Sequence, residues 1–134
     1  NDIFICFSSG SKKHVGKVAF IDSDTDYYAG GFMGIIRCFD NVNAKYIFNL
    51  LNSVQMRQVI SSESTGGNIQ NLSNKIFELK VPIPPIDIQN NIVLECEKIN
   101  DEYNSTRMSI EEYRKKIETI FDESEVIIKE KKGN

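Results

Sequence analysis

The chain has 134 residues, 40% of them hydrophobic and 26% charged, a balance that excludes a disordered protein. No apolar run approaches the roughly 20 residues that cross a bilayer, which excludes a membrane-spanning protein. No signal peptide is visible, and the three cysteines form no C-x-x-C pair, so the sequence predicts a cytoplasmic protein. The net charge of −3 argues against a uniformly basic nucleic-acid binder, but residues 1–85 carry +1 and residues 86–134 carry −4, so the first part can still bind DNA.

Three short apolar segments near the N-terminus predict β-strands. They cover residues 3–7, residues 16–21 and residues 32–38, and each is short enough for a half-buried strand. Glycines before and within the third segment indicate close backbone approach or a bulge. Polar loops at residues 8–14 and residues 22–26 separate the strands.

The pattern then becomes helical. Asn43 is a suitable N-cap for a helix with an apolar face, because Ser, Thr, Asp and Asn side chains bind free backbone N–H groups. That face is formed by Tyr46, Ile47, Leu50 and Leu51. A second short helix is predicted over residues 54–61, and it holds Val54, Met56, Val59 and Ile60.

The rest of the first part is predicted to be mainly irregular. Residues 62–70 form a polar loop, and Asn71 or Ser73 can cap a brief helical turn that ends at Leu79; Asn71 is favoured for that role. The proline-rich segment 80–85 should be extended, because each proline restricts the residue before it. This segment ends the globular part.

The remaining chain has a heptad pattern from about Asp87 to Lys131, with apolar residues at alternating spacings of four and three. The predicted seam consists of Ile92, Cys96, Ile99, Tyr103, Thr106, Ile110, Tyr113, Ile117 and Ile120, and Ile127 continues it. So narrow a stripe predicts a coiled-coil helix of roughly 60 Å that lies against another helix. Its polar members favour an antiparallel partner within a larger assembly.

These elements predict an α/β (α+β) fold. Residues 1–85 would form a small mixed-sheet domain, and residues 86–134 would form a long, coiled-coil-forming helix. No paired carboxylates occur in an apolar context, and neither cysteines nor carboxylates lie at metal-ligand spacing from His14, the single histidine. The sequence therefore predicts neither an enzyme nor a metal or cofactor site.

Several motifs at the end of the first part occur in a characteristic order. They are a glycine-rich loop with an Asn-Leu pair (Gly66 to Ser73), Phe77-Glu78-Leu79, the segment Val81 to Pro85, and a helix start with Gln89 and Ile92-Val93. This order resembles the end of a target recognition domain in type I restriction–modification specificity subunits.

The earlier part resembles the same family more loosely. Residues 2–5 are similar to its Gly-Asp-Ile strand, with Asn1 where the family has Gly, and residues 15–19 are similar to its Gly-Lys-Val strand. Residues 26–34 also look like specificity regions fused behind an adenine methyltransferase.

The resemblance implies a non-catalytic module that reads part of a bipartite target in double-stranded DNA. It implies that the helix pairs with a counterpart from a second specificity half or from a homodimer, and that it docks a methyltransferase subunit and, through it, a restriction subunit. An alternative is a coiled-coil protein-interaction module without specific DNA binding, in which the helix carries the function.

The DNA-binding candidates fall into two classes, each with a simpler alternative. Lys12, Lys13 and His14 could meet DNA in a polar loop, or could belong to a solvated hairpin. Arg37 and Arg57 could each reach a phosphate, or could equally be surface charges.

The others could contact bases. The amides of Asn68 and Gln70 could pair with adenine, or could serve turn chemistry. Tyr27 could stack on bases beside Tyr28, although packing is the more common role for adjacent tyrosines at a strand start.

Overall fold

The computed structural model describes residues 1–123, apart from the side chains at positions 75, 108, 113, 114, 116–118 and 120–123. Its strands are β1 (Asp2–Cys6), β2 (Ser8–Ser9), β3 (Val18–Ile21), β4 (Met33–Ile36), β5 (Ser64–Thr65) and β6 (Gln70–Leu72). Its helices are α1 (Ala44–Asn52), α2 (Val54–Ser62), a 3₁₀ turn (Asn74–Glu78) and α3 (Ile86–Glu123). Two units are distinguished, Asn1–Glu95 and a second that begins at Cys96.

The predicted α/β class is confirmed, with small sheets, helices and a long C-terminal helix. All strand pairings among the described residues are antiparallel, so the expected mixed sheet is not found. No helix in the described part of the chain is both long and apolar enough to span a bilayer.

The first sheet has β1 at its centre, between β3 and β4. Ile3 and Ile5 are buried on one face, as the alternation of side chains along a strand requires. The sheet ends at Phe7, whose N–H donates to the Phe32 carbonyl at 2.8 Å while its own carbonyl accepts from Leu72 N at 2.9 Å. Phe7 therefore carries the chain from the first sheet into the second.

The second sheet is formed by β2, β6 and β5, with β6 in the middle. Ser8 faces Asn71 and Ser9 faces Gln70 across the β2–β6 pair. The role of helix cap expected for Asn71 is wrong, because this residue lies in β6 and its side chain accepts a hydrogen bond from the Ser8 hydroxyl. The 3₁₀ turn instead follows Ser73, whose carbonyl accepts from Ile76 N at 3.1 Å.

The helices cover the buried face of the first sheet. Asn43 caps α1 as predicted, since its side-chain oxygen accepts from Lys45 N at 2.9 Å and Tyr46 N at 3.3 Å. The buried core cluster consists of Ile3, Tyr46, Ile47, Leu51, Ile60 and Val93. Within α2, Ile60 is fully buried, whereas Val54 and Val59 are exposed at 74% and 44%.

The long helix begins at Ile86, directly after the prolines, and α3 contributes Val93 to the core. The predicted seam is largely uncovered: Ile92, Ile99, Tyr103 and Ile110 are exposed, and Cys96 is half-buried. Thr106 is also exposed, and its hydroxyl donates to the Glu102 carbonyl. The side chains of Tyr113, Ile117 and Ile120, and the stretch from 124 to Lys131, lie outside the described residues.

Candidate nucleic-acid interface

Two loops lie at one end of the second sheet. β2 leads into the loop 10–16, and the loop 66–69 leads into β6. Because Ser9 and Gln70 are opposite each other in antiparallel strands, Gly10 and Ile69 are the next residues at the same sheet end. The structure thus brings together the start of the loop that carries Lys12 and the end of the loop that carries Asn68, although the two loops are far apart in the sequence.

The loop 10–16 is anchored on α2. Gly16 has a φ of +73°, and a Cβ at this position would lie 2.2 Å from Ile60 Cγ2, so only glycine allows the close approach. Val15 is buried next to it, and the Arg57 guanidinium donates to the Val15 carbonyl at 3.4 Å. The three residues that precede Val15 in this loop are exposed: Lys12, Lys13 and His14.

The loop 66–69 is braced by one side chain. The amide nitrogen of Gln70 donates to the carbonyls of Gly66 and Gly67, both at 2.7 Å. Its amide oxygen faces the Ser64 hydroxyl, which donates to it at 3.4 Å. Of the two open possibilities, the structure favours turn chemistry for Gln70. Asn68 is exposed at the tip, and no side-chain partner for it is found among the described residues.

A groove beside Lys12 extends this surface onto α2. It has a volume of about 560 Å³ and is lined by Lys12, Asn52, Val54, Arg57, Gln58, Ser61 and Ser62. Among the described residues that line it there are two cations and no carboxylate, so it suits an anion such as phosphate. Nη1 of Arg57 is buried without a hydrogen-bond partner among the described residues. The sequence leaves phosphate contact and surface charge equally open for Arg57, because its position beside Lys12 depends on tertiary packing.

Arg37 lies at the opposite end of β1 from these loops. Its guanidinium binds both carboxylate oxygens of Asp2, with Nε 2.8 Å from Oδ1. This charged hydrogen bond lowers the pKa of Asp2 and raises the pKa of Arg37. The structure does not bring Arg37 together with Lys12, Lys13 or Asn68.

Tyr27 belongs to the same end as Arg37, where it lines a shallow cavity with Asp2 and Ile35. Its exposed fraction is 86%, and that of Tyr28 is 95%. The packing role favoured for this pair is therefore wrong. Both rings are free to meet a ligand, but they lie apart from the two loops.

The described residues hold no group of three or more His, Cys, Asp or Glu side chains that could bind a metal ion. What the two loops present is lysine ammonium groups, an imidazole and a side-chain amide. These groups can bind phosphate oxygens and base edges.

Comparison with known proteins gives a consistent result. A family model described as type I restriction modification DNA specificity domain matches residues 2–118. The chain is 34% identical over 112 residues to the type I restriction enzyme EcoKI specificity subunit of Escherichia coli K12, covering 83% of this chain and 24% of that protein. The same figures apply to the StySPI specificity subunit of Salmonella potsdam.

A third relative is more distant. The EcoR124I/EcoR124II specificity subunit of Escherichia coli is 31% identical over 74 residues, which cover 54% of this chain and 17% of that subunit. The chain thus spans about a quarter, or less, of the length of these relatives. No solved structure gives a significant match.

Proposed function

Since the chain belongs to the family of type I restriction–modification DNA specificity domains, we propose that it is a non-catalytic module that reads part of a bipartite sequence in double-stranded DNA. The observation that carries the proposal is the meeting of the loops 10–16 and 66–69 at one sheet end. There the exposed Lys12 and Lys13 lie on one loop and the exposed Asn68 on the other.

In this proposal the basic loop positions the protein on the DNA backbone. Lys12, Lys13 and His14 face phosphates, and Arg57 extends the contact along the groove on α2. Lysine and arginine contacts to phosphate release condensed counterions, which makes the affinity fall steeply with salt. Phosphate contacts carry no sequence information, so they fix register and orientation only.

Sequence is read from the tip of the other loop. The Asn68 amide offers one donor and one acceptor, the pair that matches N7 and N6 of adenine in the major groove. Gln70 holds this loop in place and does not contact bases, because its amide nitrogen already binds the carbonyls of Gly66 and Gly67. Tyr27 and Arg37 stay predicted contacts of a separate surface at the other end of β1.

The helix α3 has a structural role in this proposal. Its exposed seam pairs with a counterpart helix, from a second specificity half or from a second copy of the chain, and so holds two readers apart. The same helix docks a methyltransferase subunit, to which a restriction subunit binds, and the assembly works in the cytoplasm. The matched relatives are specificity subunits of type I restriction enzymes, which supports a module that directs other subunits.

Exposed apolar residues on α3 favour a second candidate, a protein-interaction module without specific DNA binding. Ile99 and Tyr103 are each 65% exposed, which is costly for a helix without a partner. The two candidates differ in the loops: the second gives no role to Lys12, Lys13 or Asn68.

A binding experiment separates them. The native protein with its methyltransferase would be titrated with DNA that contains its methylated target, and with scrambled DNA, by fluorescence anisotropy. The triple variant Lys12→Gln, Lys13→Gln, Asn68→Ala should lose target binding, while Lys80→Gln, a lysine outside both loops, should not. Unchanged target binding by the triple variant would favour the interaction module.

A further inference from the structure

Ile69 is an exposed apolar residue at the tip of the loop 66–69. Its exposed fraction is 57%, and it directly follows Asn68. The structure describes both candidate DNA loops in full, and the other branched apolar side chain in them, that of Val15, is buried. Single exposed apolar residues are common on protein surfaces, so exposure alone assigns no role to Ile69. What distinguishes it is how closely its backbone is held.

The backbone at Ile69 is fixed by three neighbours. Gly66 has a φ of +132°, and a Cβ at this position would lie 2.1 Å from the Ile69 carbonyl oxygen, so the two backbone segments pack directly against each other. The amide nitrogen of Asn71 donates to the same oxygen at 3.5 Å. The next residue, Gln70, binds the carbonyls of Gly66 and Gly67. Ile69 therefore extends from a braced turn.

The side chain of Ile69 is itself stiff. Isoleucine is branched at Cβ, which restricts rotation about χ1. It therefore loses less rotamer freedom when it is immobilised in an interface than the long side chains of Lys12 and Lys13 do. A stiff apolar group on a braced turn is suited to contact with another apolar group of fixed position.

The major groove of DNA offers one such group, the 5-methyl group of thymine, among base edges that otherwise carry hydrogen-bond donors and acceptors. In the proposed function Asn68 binds the edge of an adenine in this groove. Consecutive Cα atoms are about 3.8 Å apart, and successive base pairs are about 3.4 Å apart. A thymine methyl group in the base pair that Asn68 contacts, or in an adjacent pair, is therefore within reach of Ile69.

From this we propose that Ile69 is a specificity-determining residue that contacts the 5-methyl group of a thymine in or beside the base pair read by Asn68. The inference rests on the proposed function. The contact discriminates against G·C pairs, because cytosine carries a hydrogen where thymine carries the methyl group. Since neither partner is charged, the contact adds affinity without changing the salt dependence of binding.

The test removes the methyl group from the DNA and the side chain from the protein in separate steps. The complete native protein is assembled with its methyltransferase, and its target is mapped from methylated sites in DNA. Each thymine of the target is then replaced in turn by deoxyuridine, which lacks only the 5-methyl group, and affinities are measured by fluorescence anisotropy. Ile69→Ala is the test variant. Ile83→Ala is the matched control, because Ile83 is 46% exposed and lies outside both loops.

We expect the unsubstituted protein and Ile83→Ala to lose about fourfold in affinity at one thymine, the effect of one buried methyl group. Ile69→Ala should bind the unmodified target about fourfold or more weakly, and deoxyuridine at that thymine should cause no further loss. Its salt slope and its stability to urea should equal those of the unsubstituted protein. The thymine should lie in or beside the base pair at which Asn68→Ala relaxes specificity.

The outcomes separate the two proposals. If the unsubstituted protein shows no sequence-specific binding, the proposed function fails and this inference fails with it. If binding is specific but the target contains no thymine whose methyl group contributes, the inference alone is overturned. It is also overturned if Ile69→Ala keeps the full response to deoxyuridine, because Ile69 then acts as a wedge between base steps or as a packing residue.

Discussion

The hydroxyl of Ser8 donates a hydrogen bond to the side-chain oxygen of Asn71, a residue 63 positions later in the chain. The two residues face each other in β2 and β6, the strands that lead into one candidate DNA loop and out of the other. The bond therefore ties together the two strands from which the candidate loops extend.

Replacement of Asn71 and replacement of Asn68 should have different effects. Asn71→Ala removes the bond to Ser8 and should lower the free energy of unfolding by about 0.5–1.5 kcal/mol, with a moderate loss of DNA affinity. Asn68→Ala should leave stability within about 0.5 kcal/mol and reduce affinity for the target sequence about tenfold. Urea unfolding and anisotropy titrations measure the two quantities, and equal stability losses for both variants would contradict the assignment.

Gly16 and Gly10 provide a matched pair in the basic loop. Gly16→Ala forces a positive φ on alanine and pushes its Cβ into Ile60, so we expect a stability loss of about 1–3 kcal/mol and weaker DNA binding. At Gly10 a Cβ meets nothing within 4 Å, so Gly10→Ala should be nearly neutral. Thermal unfolding of the two variants checks this, and a neutral Gly16→Ala would mean that the loop is not anchored on α2.

Salt dependence reports how many phosphates the protein neutralises. The slope of log K against log salt changes by about 0.9 for each phosphate that is no longer neutralised, so Lys12→Gln with Lys13→Gln should flatten it by about 1.8. The fall in affinity should be the same for target and scrambled DNA, because phosphate binding is insensitive to sequence. Lys80→Gln is the control, and an unchanged slope in the double variant would remove these lysines from the interface.

The pair of Asp2 and Arg37 predicts an effect confined to acid pH. The hydrogen bond from Arg37 holds the pKa of Asp2 below its ordinary 3.8. The contribution of the pair to stability is therefore fully present above pH 3.8 and disappears as the pH falls through the lowered pKa. In Arg37→Ala, the pKa of Asp2, followed by carboxyl NMR, should return towards 3.8.

The same variant addresses the predicted DNA contact of Arg37. Because Arg37 lies at the opposite end of β1 from the two loops, DNA affinity at neutral pH should stay within about twofold. A larger loss in Arg37→Ala, with stability unchanged, would show that the surface around Tyr27 and Arg37 also contacts DNA.

The exposed seam on α3 predicts association through the helix. A charge at the centre of a helix interface opposes burial, so Ile99→Asp with Ile110→Asp should abolish the pairing of helices. Asn104→Asp adds one such charge at an exposed position that is not a predicted seam residue and should leave association intact. Light scattering on the native protein gives the mass, and a mass unaffected by the seam variant would place the partner surface elsewhere.

The local elements of the fold could be predicted because their signals are local. β1, β3 and β4 follow from apolar runs between polar loops, and α1 follows from a helical stripe behind the Asn43 cap. β3 and β4 are shorter than expected, and β1 has the expected length but ends one residue early. It ends there because the chain leaves the first sheet at Phe7, whose ring also lies against Gly34. The point at which the chain leaves the sheet depends on its next partner strand, and no local sequence pattern identifies that strand.

The roles of individual polar residues were harder to predict. Asn71 has the residue type of a cap, but its position opposite Ser8 is fixed by strand pairing over a long separation. Gln89 is marked by the family resemblance, yet its function as a link to Asn43 follows only from the packing of α3 beside α1. Of the candidate site, the two loops were predicted separately, and their proximity is a result of the sheet.

The brace beneath the loop 66–69 has an evolutionary consequence. Gln70 holds this loop through the carbonyls of Gly66 and Gly67, groups that every amino acid possesses, and its amide nitrogen does not rely on the side chains of Asn68 and Ile69. Under the proposed function, substitutions at these two tip positions would alter which bases are preferred without removing the two hydrogen bonds that hold the loop. New target preferences would then be accessible in single steps, each of which leaves a folded protein for selection to act on.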